Sequence, residues 1–225
     1  MHIEPGLIAE PKLVLSYATG AAALAYGAKL AFDEARDTGA ASLAARAAIA
    51  TGLVVVFFEV LPHVAVGISE VHLILGTTLL LLFGTGPAAI GLATGLLLQG
   101  LLMAPTDLPQ YGANVTTLLV PLFALAALTR RLVAPGTAYV DLGYAQVLRM
   151  SVAYQGGIVL WVAFWAIWGQ GFGATNMAAI GSFGAAYMLV VLVEPLADLA
   201  ALAAAKATRR LRGSGLVTSR LHGGA

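Results

Sequence analysis

The sequence opens Met1-His2-Ile3-Glu4-Pro5-Gly6. If Met1 is kept, its α-amine, the amide nitrogen of His2 and the His2 imidazole Nδ1 can close two fused chelate rings on one metal ion. Those three nitrogens lie in a plane, and one more imidazole nitrogen completes a square. Planar nitrogen coordination suits Ni(II) and Cu(II), and low-spin Co(II) accepts it. Zn(II) prefers a tetrahedron. Initiator methionine is normally removed only before a small residue, so a Met-His start is expected to survive. The chain has four histidines, His2, His63, His72 and His222. His72 lies in GISEVHLILG, a largely apolar run where an ionisable group is expensive and therefore a functional candidate. Pro5 and Gly6 permit a sharp bend. The first six residues can then fold back into the mouth of a bundle and bring Met1 and His2 to His72.

The elements that must position these residues are transmembrane helices. Of 225 residues, 60% are hydrophobic and 10% charged, against about 25% charged in a soluble domain. The apolar runs are long and do not alternate, which indicates helices rather than a barrel. There is no cysteine, so disulfides, thiolate metal sites and iron–sulfur clusters are excluded. The first ten residues hold two acids and no Lys or Arg, so no cleavable signal peptide is expected.

The expected fold is an all-α integral membrane bundle of about seven transmembrane helices. Spans are expected near Lys12–Phe32, Leu43–Leu61, Val64–Gly84, Pro87–Met103, Gly112–Leu132, Leu148–Trp168 and Asn176–Ala205. Residues 1–212 form one transmembrane substrate-binding domain, and residues 213–225 a flexible cytoplasmic tail. With seven spans, 11 of the 12 basic residues fall on one side, Lys12 being the exception. That places the carboxyl terminus in the cytoplasm and the amino terminus outside. His222 falls in the cytoplasmic tail, whereas His2, His63 and His72 fall toward the outer side.

Other polar residues share that outer side. The segment before His72, with Pro62, Gly67 and Ser69, reads as poorly helical; such backbone is tolerated at membrane depth only where protein or a cavity covers it. Asn114 enters the fifth span from outside. Its amide can accept an imidazole N–H, hold the backbone of a ligand segment, or cap the helix. Glu59, His63 and Glu70 can attract cations, orient a ligand, or sit at the interface. The residues expected to orient the metal ligands are thus Asn114, Glu70, Ser69 and His63. Span one carries small residues, Ala18, Ala21, Ala22, Ala25, Gly27 and Ala28, which suit packing inside the bundle or a sliding contact with a partner helix. Glu194 and Asp198 are expected to pair with nearby bases.

In this order and at these separations, MHIEPGL, SEVHLILG and LLLQGLLMAPTDLPQYGAN resemble the CbiM/NikM family. These are the substrate-capturing S components of cobalt and nickel energy-coupling factor (ECF) transporters. The resemblance covers the membrane core from Met1 to about Leu132, with the later spans matching in hydropathy. It implies that Met1 and His2 chelate the ion with His72 as the distant imidazole. It implies Co(2+) or Ni(2+) as the transported substrate, with no organic cofactor. It also implies an inner-membrane importer with a membrane scaffold (T) subunit, two cytoplasmic ATPase subunits and often a small accessory membrane subunit. The chain departs from the family pattern at Pro5, where an acid is usual, and at Glu70 and Val71, where small residues are usual. No GxxxxGK[ST] occurs, so the ATPase belongs to a separate chain and this one is not an enzyme.

Two other classes compete. An intramembrane serine protease could use Ser69 or Ser182, but its base would have to be His63 or His72, and no later span carries a histidine. A stand-alone cation channel or secondary transporter could use Glu59, Glu70, Glu194 and Asp198 as intramembrane carboxylates.

Overall fold

The computed structural model describes residues 3–208 and 211–223. Its elements are α1 (Leu13–Thr38), α2 (Ala40–Glu59), β1 (Val64–Val66), β2 (Ser69–Val71), α3 (Gly76–Phe83), α4 (Thr85–Leu102), α5 (Tyr111–Leu132), α6 (Tyr144–Gln170), α7 (Ala174–Met188) and α8 (Glu194–Ala207). Among the described residues, five segments are long and apolar enough to cross a bilayer: Ala40–Glu59, Thr85–Leu102, Pro105–Leu132, Tyr144–Gln170 and Ala174–Ala207. The chain is a helical, multi-pass membrane protein. Helix α1 has 26 residues, about 39 Å at 1.5 Å per residue. Its polar residues, Ser16, Tyr17, Thr19, Tyr26 and Lys29, and the charged DEARDT end lower its mean hydropathy relative to those five.

Small residues bring the helices close, as expected where lipid gives no hydrophobic drive between them. A Cβ at Gly112 of α5 would sit 2.5 Å from the Ser16 carbonyl oxygen of α1. One at Gly91 of α4 would sit 2.5 Å from the Ala50 methyl of α2. On α1, Gly20, Ala23, Gly27 and Ala31 are buried, whereas Ala18, Ala21, Ala22, Ala25 and Ala28 face outward. Most of the small residues read from the sequence thus form an outer stripe rather than an internal seam.

The third expected span is corrected: Val64–Gly84 is not one helix. It is an antiparallel hairpin, with Val64 opposite Val71 and Val66 opposite Ser69, then an extended link, then the eight-residue α3. The segment still crosses the bundle. His72 lies against Phe58 near the end of α2, while the carbonyl of Phe83 accepts a 2.7 Å bond from Arg46 near the start of α2. The seventh span is broken too. A 3-10 turn at Leu189–Leu192 separates α7 from α8, and Pro195 stands in the first turn of α8, where its missing N–H costs nothing.

At the α1–α2 corner, Arg46 is fully buried. It bonds Glu34 of α1, the Phe83 carbonyl and the Thr38 hydroxyl, and Glu34 in turn accepts the Gly86 N–H at 3.2 Å. One guanidinium thereby ties α1, α2 and the α3–α4 corner. The segment from Gly213, read from the sequence as a loose tail, has packed contacts. The Thr218 N–H donates to the Leu82 carbonyl at 2.8 Å, Leu221 is buried, and the Arg220 guanidinium lies 5.1 Å from the Tyr139 ring centre.

Candidate metal site

Residues 3–8 run into the end of the bundle formed by the hairpin and the start of α5. Ile3 is fully buried and makes a single antiparallel bridge to Ser69 at the edge of the hairpin. The Ile3 N–H donates to the Asn114 Oδ1 at 2.9 Å, and the Glu4 N–H to the Ile68 carbonyl at 3.2 Å. The Gln110 amide donates to the Glu4 carbonyl at 2.9 Å. A turn then reverses the chain: the Leu7 N–H returns to the Glu4 carbonyl, with Gly6 at φ 86°, a left-handed conformation that glycine adopts freely. The far side is held by α6. The Gln170 amide donates to the Leu7 carbonyl at 3.1 Å, and the Lys12 ammonium donates to the Trp168 and Gly169 carbonyls. The expected ligands Met1 and His2 lie outside the described residues.

His72 follows β2 directly and is 1% exposed. Alternation along an extended chain puts residues 70 and 72 on one face, and the His72 Nε2 lies 2.8 Å from Glu70 Oε2. Its ring stacks on His63, with centres 5.0 Å apart and planes 13° from parallel, and tilts against Phe58 at 5.5 Å. A carboxylate beside Nε2 favours the tautomer that carries the proton there, which leaves the lone pair of a neutral ring on Nδ1. That is the arrangement a metal-binding histidine needs.

His72, Glu70, Ser69, His63 and Asn114 therefore meet at one end of the bundle. Of the uses open to Asn114, it makes the backbone contact, and it makes no helix-cap hydrogen bond. Among the described residues no base pairs with Glu194 or Asp198, where the sequence reading expected basic partners. The two carboxylates bond Ser151, Gln155 and Thr78 deep in the bundle. His222 lies at the opposite end with the Thr218 segment. Sequence reasoning missed Phe58, Gln110, Gly169 and Gln170 as supports. Gln110 was visible as a polar residue in DLPQYGAN; the others touch residues 100 or more positions away or sit in ordinary apolar helix, and gave no local signal.

No curated protein and no solved structure shows significant similarity to the chain. The family described as the cobalt uptake substrate-specific transmembrane region matches residues 2–211, nearly the whole length. The buried amino-terminal segment and the carboxylate-oriented histidine thus sit within a matched region, and the chain belongs to this family of cobalt-uptake membrane components, CbiM.

Proposed function

We propose that this chain captures Co(2+) or Ni(2+) from outside the cell, with the amino terminus on the outer face. The ligands are the Met1 α-amine, the His2 amide nitrogen and Nδ1, and the His72 Nδ1. The observation that supports this reading is the insertion of the segment from residue 3: a buried Ile3, held by Asn114 and Ser69, lies against the hairpin that leads into His72. Glu70 orients the His72 ring, and His63 and Phe58 brace it. Metal binding displaces protons from the amine, the amide and the rings, so affinity falls in acid.

In this reading the chain is the non-catalytic S component of an ECF-type importer. Separate T and ATPase subunits, and in some systems a small accessory subunit, complete it in the inner membrane. The outward stripe Ala18, Ala21, Ala22, Ala25 and Ala28 offers a smooth helix face on which a partner helix can slide. In this reading the sequence segments that carry 11 of the 12 basic residues belong to the cytoplasmic side of the membrane.

Acetylation of the Met1 α-amine tests the site. It removes one of the four ligand nitrogens while leaving every described contact in place. Nickel and cobalt binding by the purified protein should be lost, and His72→Ala should lose it as well. Binding at the parental affinity in both forms would overturn the proposal and favour a channel that uses carboxylates.

A further inference from the structure

The two carboxylates of α8 stand one helical turn apart, and neither Glu194 nor Asp198 has exposed surface. Glu194 Oε2 accepts the Ser151 hydroxyl at 2.6 Å and the Gln155 amide. Asp198 Oδ1 accepts the Thr78 hydroxyl. Backbone groups at the start of α3 add to this, Leu75 toward Glu194 and Thr78 toward Asp198. The second oxygen of each carboxyl, Glu194 Oε1 and Asp198 Oδ2, is buried without a hydrogen-bond partner. So are the Gln155 Oε1 and the hydroxyl of Tyr187, which faces Glu194 from α7. Tyr154 faces it from α6. Asp141 and Lys206 pair with each other at the exposed end of α8. Among the described residues, no Lys, Arg or His pairs with either carboxylate.

The cluster therefore has a surplus of acceptors. Every described side-chain donor that reaches the carboxyls is already spent on one oxygen of each, and one oxygen of each is left bare. Two full negative charges so close together, sealed in apolar surroundings, repel each other and lose their hydration. One proton on either carboxyl supplies the missing donor and removes one charge, as in carboxyl pairs that share a proton. We propose that Glu194 and Asp198 form a proton-binding site that carries one proton in the folded protein, and that this singly protonated pair clamps the start of α3.

The clamp acts on the link to His72. Leu75 is the one non-glycine residue with positive φ among the described residues, at 54°. That conformation is disfavoured for a residue with a branched side chain and persists only where surroundings hold it. Glu194 faces the backbone of this residue, three positions beyond His72. The proton site stands on the buried cluster alone; its effect on His72 rests on the metal-capture reading above.

Infrared difference spectroscopy of the metal-free, detergent-solubilised protein tests the proton. At neutral pH the parent should show a protonated-carboxyl C=O stretch that shifts in D2O. The band should vanish in Glu194→Gln/Asp198→Asn. Absence of the band in the parent, or its persistence in the double variant, would overturn the proposal. If the double variant does not fold, the single variants Glu194→Gln and Asp198→Asn decide: the band should shift or disappear in each, and a band unchanged in frequency and intensity in both would overturn the proposal. For the clamp, Glu194→Ala should weaken nickel or cobalt binding about tenfold, as does loss of a group that orients a metal ligand. Unchanged affinity would remove the clamp. A parent that binds neither metal but shows the band would refute metal capture and leave the proton site standing.

Discussion

Gly169 packs against the inserted amino-terminal segment at Leu7 and Ile8, so Gly169→Ala probes the role of that segment. A Cβ at Gly169 would run into the Leu7 carbonyl oxygen, with the Leu7 carbonyl carbon at 3.0 Å and the Ile8 Cα at 3.3 Å. Non-bonded carbons prefer about 3.5–4.0 Å, so Leu7 and Ile8 must withdraw by about 1 Å. Both sides of the contact are backbone, and no flexible side chain can yield instead. The shift travels through the turn that joins the Leu7 N–H to the Glu4 carbonyl, and so reaches Ile3, whose N–H meets Asn114 at 2.9 Å in a buried setting. Misaligning one buried hydrogen bond costs about 1–3 kcal/mol, roughly 5- to 150-fold in an equilibrium constant. Titration calorimetry with nickel or cobalt should show a loss in that range for Gly169→Ala. Gly156→Ala, on the same helix with open space around the new methyl, should bind as the parent does. Parental affinity in a folded Gly169→Ala protein would refute the argument that the inserted segment positions the metal ligands.

Three further outcomes are expected. Glu70→Gln should weaken metal binding about tenfold and Glu70→Ala up to about 100-fold, measured by the same titration, because the His72 ring loses the carboxylate that orients it. Arg46→Met should lower stability by about 3 kcal/mol in detergent unfolding, since it strands the Glu34 carboxylate and the buried Phe83 carbonyl. That is the low end of the usual range because Glu34 keeps some solvent contact. Burial raises the Tyr139 phenol above its ordinary value, partly offset by the Arg220 guanidinium beside it. The folded state thus holds this proton more tightly than the unfolded chain, and the stabilisation is present below about pH 10 and is lost as pH rises through the folded value. Proteolysis at Arg220 should accelerate in that alkaline range, and Tyr139→Phe should abolish the pH dependence.

Where a span is a continuous apolar helix, its position was legible. The expected Leu43–Leu61, Pro87–Met103 and Gly112–Leu132 lie within a few residues of α2, α4 and α5. Hydropathy carries this because a helix satisfies its own backbone and needs only apolar side chains to sit in lipid. The break between α7 and α8 was not read, although Glu194-Pro195 is an ordinary start signal for a helix. An apolar window of about 20 residues averages over such a signal. The carboxylates beyond it were assigned to basic partners because the sequence does not reveal that Ser151, Gln155 and Thr78 converge on them. The polar residues of the site were visible as exceptions in apolar runs, but Asn114 could not be matched to the Ile3 N–H without the fold.

The third pass shows why its misreading and the site have one cause. A helix at this position would have consumed its own N–H and C=O groups and had none to offer another segment. An extended hairpin leaves one edge open. Here that edge is taken by the start of the chain, with Ile3 opposite Ser69 and the Glu4 N–H on the Ile68 carbonyl. The turn at Gly67, φ 64°, and the valines and isoleucine around it favour this form over a helix. Main-chain bonds at Ile3 and Glu4 fix the register of the inserted segment independently of its side chains. The same extended backbone places Glu70 and His72 on one face and within 2.8 Å of each other. In a helix, residues two apart point about 200° away from each other and could not make that pair. Loss of helix in the third pass is therefore what permits both the docking of the amino terminus and the orientation of the distant imidazole.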